Sequence, residues 1–261
     1  MRKLFSAVAI ATAMCMAAGG AGAGDKVRIG VEGAYPPFSW VDPDGTLKGF
    51  DIDIAMALCE EIGAECELVQ QDWDGIIPAL LARKYDAIIA SMSITEERKK
   101  KVSFTQKYHQ TPAKFVRRKG SGIEIDAASM KGKAVGVQRA TIHDNFVTAE
   151  FGDAVEVKRY ATQDEAYLDA VAGRVDLLLA NSVAIDEGFL KTEQGQEFEF
   201  VGPDFSDPKY FGEGAGIAVR KKDDELRSKL NAAIKTILEN GTYDAISKKY
   251  FDFNVYGEPT G

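Results

Sequence analysis

Histidine and cysteine are scarce in this chain of 261 residues: two of the first and three of the second. Two distant histidines and two or three thiols do not supply the clustered ligands that a structural or catalytic metal site needs. No glycine-rich phosphate loop and no strand–serine–helix elbow is found, which removes the usual sequence signals of a nucleotide-binding enzyme or a hydrolase. Positive charge is also in deficit, 32 Lys and Arg against 40 Asp and Glu for a net −8, and such a balance excludes a general nucleic-acid binder. Beyond the first two dozen residues no apolar run is long enough to cross a bilayer, so a soluble mature protein is expected.

What is present begins with residues 1–23: Arg2 and Lys3, an apolar stretch from Leu4 to Ala18, and a small-residue ending at Ala21, Gly22 and Ala23. This is the pattern of an export signal, with cleavage expected near Ala23. The alternative, a membrane anchor, needs about 20 apolar residues, and this stretch dissolves into glycines first. Lipid attachment at Cys15 is disfavoured by Met14, which stands where such signals carry a small residue. Loss of Arg2 and Lys3 moves the net charge from −8 to −10. Only Cys59 and Cys66 remain after export, and an even pair in an oxidising compartment reads as a disulfide clipping a helix end to the next strand. Two unpaired core cysteines are the alternative.

About 238 mature residues, at roughly 150 per domain, suggest two modest lobes. Short apolar strands alternate with amphipathic helices, the pattern of parallel sheets with helical crossovers. VRIGVE (27–32), CELVQ (66–70) and DAIIAS (86–91) read as strands around helices at 50–62 and 75–82; KAVGVQ (133–138), AVEVKRY and VDLLLAN then repeat the order around helices at 142–149 and 164–172. LARKYDAIIAS and VAGRVDLLLAN echo one another, each an aspartate opening a buried strand that a small polar residue closes. Crossings between the lobes are expected at 107–113 (KYHQTPA), where Pro112 forces its neighbour extended, and within the proline- and glycine-rich 202–216. The chain ends with a strand and two helices split by Asn240 and Gly241. The predicted architecture is thus α/β: an export signal at 1–23, one lobe from 24–110 and 208–261, the other from 111–207, joined by two hinge crossings.

Ligands collect beyond the carboxyl ends of strands in such sheets, which points to residues 32–35, 71–73, 90–93, 138–143 and 181–182. Arg98 is a natural bidentate partner for a carboxylate. Ser91 and Ser93 alternate along an extended segment, and Thr141 opens a helix whose first N–H groups favour an anion. At the other end Glu32 balances a ligand cation, and Tyr35 and Trp73 offer flat rings to stack on it.

The strings VEGAYPPFSWVDPDGTLKGFDIDIAMALC, WDGIIPAL, YDAIIASMSITEER, GVQRAT, AGRVDLLLAN and NGTYDAISKKYFDFNVYG resemble, over essentially the whole mature chain, the periplasmic amino-acid-binding proteins of ABC importers. The likeness is greatest to the lysine/arginine/ornithine and histidine receptor group, with opine receptors as cousins. The resemblance implies a type II periplasmic-binding-protein fold, no cofactor, a periplasmic monomer, and delivery of an amino acid to an inner-membrane ABC permease. It implies Arg98 for the ligand α-carboxylate with Ser93 and Thr141 assisting, Ser91 and the Ala90 carbonyl at the α-ammonium, Glu32 for the distal cation between Tyr35 and Trp73, and a Cys59–Cys66 disulfide.

Two positions depart from the family pattern. Asn181 stands where basic amino-acid receptors carry an aspartate for the α-ammonium, which admits a substituted amine such as an opine. Gln138, Arg139 and His143 replace an apolar, uncharged set, and an inward Arg139 would repel a cationic ligand. Gln138 and His143 join the expected ligand-binding set, whereas the direction of Arg139 stays open. A further alternative is a dehydratase-type enzyme on the same fold, with His109 or His143 and Glu32 as an acid/base pair.

Overall fold

The computed structural model describes residues 26–257, and the expected export signal at 1–23 lies outside them. The chain enters on strand β1 (Lys26–Val31) and makes a small meander of β2 (Ala34–Tyr35), β3 (Ser39–Val41) and β4 (Leu47–Lys48). Helix α1 (Phe50–Glu61), β5 (Glu65–Gln70), α2 (Ile76–Leu81), β6 (Ala87–Ile88), α3 (Glu96–Lys99) and β7 (Ser103–His109) follow. The second lobe holds β8 (Ala113–Arg118), β9 (Ala134–Gln138), α4 (Ile142–Phe151), β10 (Glu156–Tyr160), α5 (Gln163–Val171), β11 (Leu177–Asn181), α6 (Ser182–Ile185), β12 (Phe198–Phe205) and α7 (Pro208–Phe211). The chain then returns to the first lobe as β13 (Ala215–Val219), α8 (Asp224–Glu239) and α9 (Thr242–Ser247).

Each lobe is built on a five-stranded sheet, β5-β1-β6-β13-β7 in the first and β10-β9-β11-β8-β12 in the second. The echo seen in the sequence is therefore an echo in topology. The sheets are not wholly parallel as expected. β13 runs antiparallel to β6 and β7, and β8 antiparallel to β11 and β12. In both cases the reversed strand is the one that arrives from the other lobe, so it enters its sheet from the cleft side.

Apolar periodicity explains the cover of these sheets. On α8 the buried residues are Leu230, Ala233, Ile234 and Ile237, one face of a 3.6-residue period, and they pack on the same core as Ile29, Val31, Leu58 and Ile217. Burying each large aliphatic side chain contributes about 1.5–3 kcal/mol. In β1, Gly30 is required by close approach: a Cβ there would lie 2.5 Å from the ring of Tyr85.

The first crossing is residues 110–112, between β7 and β8. It is fastened from outside by the chain's far end, since Gln110 N–H donates to the Val255 carbonyl (2.9 Å) and Lys107 Nζ lies over the Tyr256 ring. The return passes later than the 207/208 boundary: Phe211 of α7 packs with Phe146 and Phe205 in the core of the second lobe, and Gly212 and Gly214, both at positive φ, carry the chain back. Cys59 and Cys66 are joined, tying the end of α1 to the start of β5.

Candidate functional site

All eleven residues expected at the ligand border one cavity between the lobes, together with His109, Thr111, Ile142 and Phe211. The first lobe contributes Glu32, Tyr35, Trp73, Ala90, Ser91, Ser93 and Arg98, and the second Gln138, Thr141, His143 and Asn181.

Arg98 sits on the short helix α3, whose N-cap Thr95 accepts from the Arg98 N–H. Its side chain folds back, donating from Nη1 to the Ser93 carbonyl at 3.0 Å and lying 5.2 Å from the centre of the Trp73 ring. No carboxylate pairs with it among the described residues, and burial pulls its guanidinium down to about 10. Opposite, Thr141 caps α4, its hydroxyl accepting from Asp144 N–H and donating to the Gln138 carbonyl at 2.7 Å. The Thr141 hydroxyl is therefore engaged within its own turn. What α4 offers an anion is its first-turn N–H groups, which have no intrahelical carbonyl to reach, at Ile142 and His143. Burial, and then the charge of Arg98, hold His143 down to about 3, so its imidazole is neutral.

At the far end Glu32 is buried, and burial pushes its carboxyl up to about 7. No Lys or Arg pairs with it among the described residues. Its hydrogen bond comes from the second lobe, Gln138 Nε2 to Oε1 at 2.5 Å.

DAIIAS was expected to be one strand, but the ladder of β6 covers only Ala87 and Ile88, and Ser91 adopts a left-handed backbone at φ 48°. That twist turns the serine into a buried polar cluster. Tyr108 Oη–H and Ser91 Oγ–H donate to the two oxygens of Asp51, at 2.8 and 2.9 Å, and His109 Nε2 lies 3.0 Å from Ser91 Oγ. Since the serine hydroxyl donates to Asp51, it accepts from His109, which leaves His109 Nδ1 buried without a partner. Burial, then Lys107, hold His109 down to about 3, and burial raises Asp51 to about 7.

Asn181 differs from expectation as an acceptor. Its Oδ1 caps α6 by accepting from Val183 and Ala184 N–H, and its Nδ2 donates to Thr111 Oγ1. Its backbone N–H donates to Tyr35 Oη across the cleft at 3.4 Å. Arg139 does not border the cavity: its Nε meets Asp74 Oδ2 of the first lobe at 2.5 Å. Beside it Trp73 Nε1 donates to the carbonyl of Ala140 at 3.1 Å, so two consecutive residues of each lobe clasp at the mouth.

Fold, cavity and charges thus describe two hinged lobes around a polar ligand. A profile of the bacterial extracellular solute-binding proteins, family 3, matches residues 27–253. The chain belongs to this family. This solute-binding protein is similar to an L-arginine-binding protein of Pseudomonas aeruginosa, 55% identical over 237 residues that span 90% of this chain and 92% of that one. It is also similar to the lysine/arginine/ornithine-binding periplasmic protein of Escherichia coli K12, 40% identical over 260 residues and covering 99% and 100% of the two chains. A solved Salmonella typhimurium periplasmic binding protein, described for its high arginine specificity, superposes with a TM-score of 0.80 at 34% identity, covering 87% of this chain and 99% of that one.

The residues missed by sequence reasoning are Asp51, Thr111 and the clasp partner Asp74; His109 was weighed only as an acid/base group. Asp51 reads locally as an ordinary acid in the first turn of α1. Its contact with Ser91, 40 residues away, has no local signal.

Proposed function

We propose that the protein is the periplasmic receptor of an ABC importer, capturing a basic amino acid, L-arginine foremost, between its lobes and presenting the closed form to an inner-membrane permease. The observation that carries this reading is a pair of opposite, unmatched charges at the two ends of one cavity: Arg98 without a carboxylate and Glu32 without a cation among the described residues. A zwitterion with a cationic side chain supplies both. Buried charges are tolerated when paired and hydrogen-bonded, so such a ligand stabilises the closed form relative to the open one by contacts that exist only there. The Arg98 guanidinium and the first-turn N–H groups of α4 take the α-carboxylate, Tyr35 and the free face of Trp73 flank the side chain, and Glu32 with Gln138 meets its head.

A second reading is favoured by Asn181. The α-nitrogen finds no charged acceptor there, and an opine or other N-substituted amino acid has less charge to place at that point. Against an enzyme of dehydratase type, His109 meets Ser91 rather than Glu32, and the relatives are named as binding proteins.

Calorimetric titration with arginine, ornithine, lysine, histidine and octopine tests the reading. Arginine is expected to bind tightest, and no turnover of prephenate or arogenate is expected. Tight binding of a neutral or acidic amino acid, with no response to arginine, would falsify it.

A further inference from the structure

Glu32 and Gln138 come from different lobes and meet across the cleft. The amide of Gln138 makes two hydrogen bonds through one atom: Nε2 donates to Glu32 Oε1 at 2.5 Å and to the carbonyl of Ala161, in its own lobe, at 3.2 Å. Both partners accept, so the amide has a single chemically consistent orientation. Its backbone carbonyl is fixed by the hydroxyl of Thr141. The donor is therefore set by the second lobe before it meets the acid of the first.

We propose that Gln138 is a positioning residue: its amide, held by Ala161, donates to Glu32 across the cleft and opposes protonation of that carboxylate where water is excluded, so that the cavity selects a cationic side chain over a neutral one of the same shape. This rests on the reading of Glu32 as the acid facing the ligand's distal head.

The surroundings of Glu32 give the amide this weight. Burial favours the neutral acid, and so do the negative charges of Asp51 on α1, Asp164 on α5 and Asp72 after β5; the Gln138 hydrogen bond acts the other way. The phenol of Tyr35 also lies near it and stays neutral because burial raises it. Asp51 is not a substitute acceptor, because both its oxygens are already met by Tyr108 and Ser91. A protonated Glu32 keeps a hydrogen-bonding surface but loses the charge, and with it the preference for a cation.

The test is calorimetric titration with L-arginine and with L-citrulline, which has the same chain and a neutral head, from pH 5.5 to 8.5. His109 and His143, at about 3, do not titrate in this range; Asp51, at about 7, does, and the Glu32→Gln background isolates its contribution. Wild type should prefer arginine, with affinity falling as pH drops through the carboxyl range. In Gln138→Met that fall should move upward by about one pH unit, so that, beyond any pH-independent loss from the missing contact, arginine loses about tenfold more between pH 8.5 and pH 6.5 than it does with wild type. For citrulline any loss should be the same at every pH. Gln138→Asn, whose amide is too short to reach, should shift arginine likewise, and should Gln138→Met not fold it carries the test. In a Glu32→Gln background neither change should alter the pH profile. An unmoved arginine profile, or an equal loss for arginine and citrulline at every pH, overturns the proposal while leaving the receptor reading intact. Wild type that binds no basic amino acid at any pH overturns both.

Discussion

Arg139 and Asp74, one from each lobe, form an ion pair across the mouth of the cleft, Nε to Oδ2 at 2.5 Å. The pair lies outside the wall of the interlobe cavity. Its side chains are 44% and 39% exposed, so its worth is that of a surface pair, about 0–1 kcal/mol. What it acts on is the balance between open and closed forms. Arg139→Gln or Asp74→Asn should therefore weaken every ligand by one common factor, about two- to fivefold at low salt, because a less populated closed form reduces all apparent affinities alike. Titrations in 50 and 500 mM salt check this: the effect should shrink at high salt, and a change in the ranking of ligands would contradict it.

Arg98→Ala should abolish measurable amino-acid binding, a loss of at least about 100-fold, as expected when two charge-assisted hydrogen bonds disappear. The fold should survive, because the guanidinium is desolvated and lacks an acidic partner. A thermal melt within a few degrees of wild type, alongside a lost titration signal, is the expected pair of results. Retained affinity would place the carboxylate elsewhere.

Asn181→Asp separates the two ligand readings. The new carboxylate can keep capping α6 with one oxygen and turn the other, charged, toward Thr111 and the α-nitrogen. Arginine should bind about tenfold more tightly and octopine more weakly, a difference on the order of 1.4 kcal/mol. Competition between the two ligands, followed by calorimetry, gives the answer directly.

Asp51 makes stability depend on pH in a stated direction. Its folded value of about 7 lies above the ordinary 3.8, so the folded form holds the proton more tightly than the unfolded one. The resulting stabilisation is fully present below about pH 4 and is lost as pH rises through about 7. Asp51→Asn should flatten this loss, so wild type and variant should differ in stability by an amount that changes by up to about 4 kcal/mol between pH 4 and 8. Urea titrations at the two ends measure it. A pH-independent difference would mean that Asp51 titrates normally.

Much of this was legible in the sequence because strand ends and turns are written locally. The glutamate closing β1, the serines after β6 and the asparagine closing β11 each follow an apolar run, and all fall on the cavity wall. What was not legible depends on contacts between distant segments. The twist at Ser91 is a response to Asp51 and His109, 40 and 18 residues away. The outward turn of Arg139 is set by Asp74, 65 residues away. The engagement of Asn181 in capping α6 appears only once Thr111 is placed beside it. The reversed strands β8 and β13 were likewise missed, because strand direction depends on where the chain crosses and not on the strand's own residues.

The fastening of residues 110–112 by the chain's far end has a practical corollary. With the Val255 carbonyl tied to Gln110 and the Tyr256 ring beneath Lys107, bending at the pivot is felt by a segment remote from the cargo. Phe253, on that segment and half-exposed, is a natural seat for an environment-sensitive dye that reports opening without touching the solute.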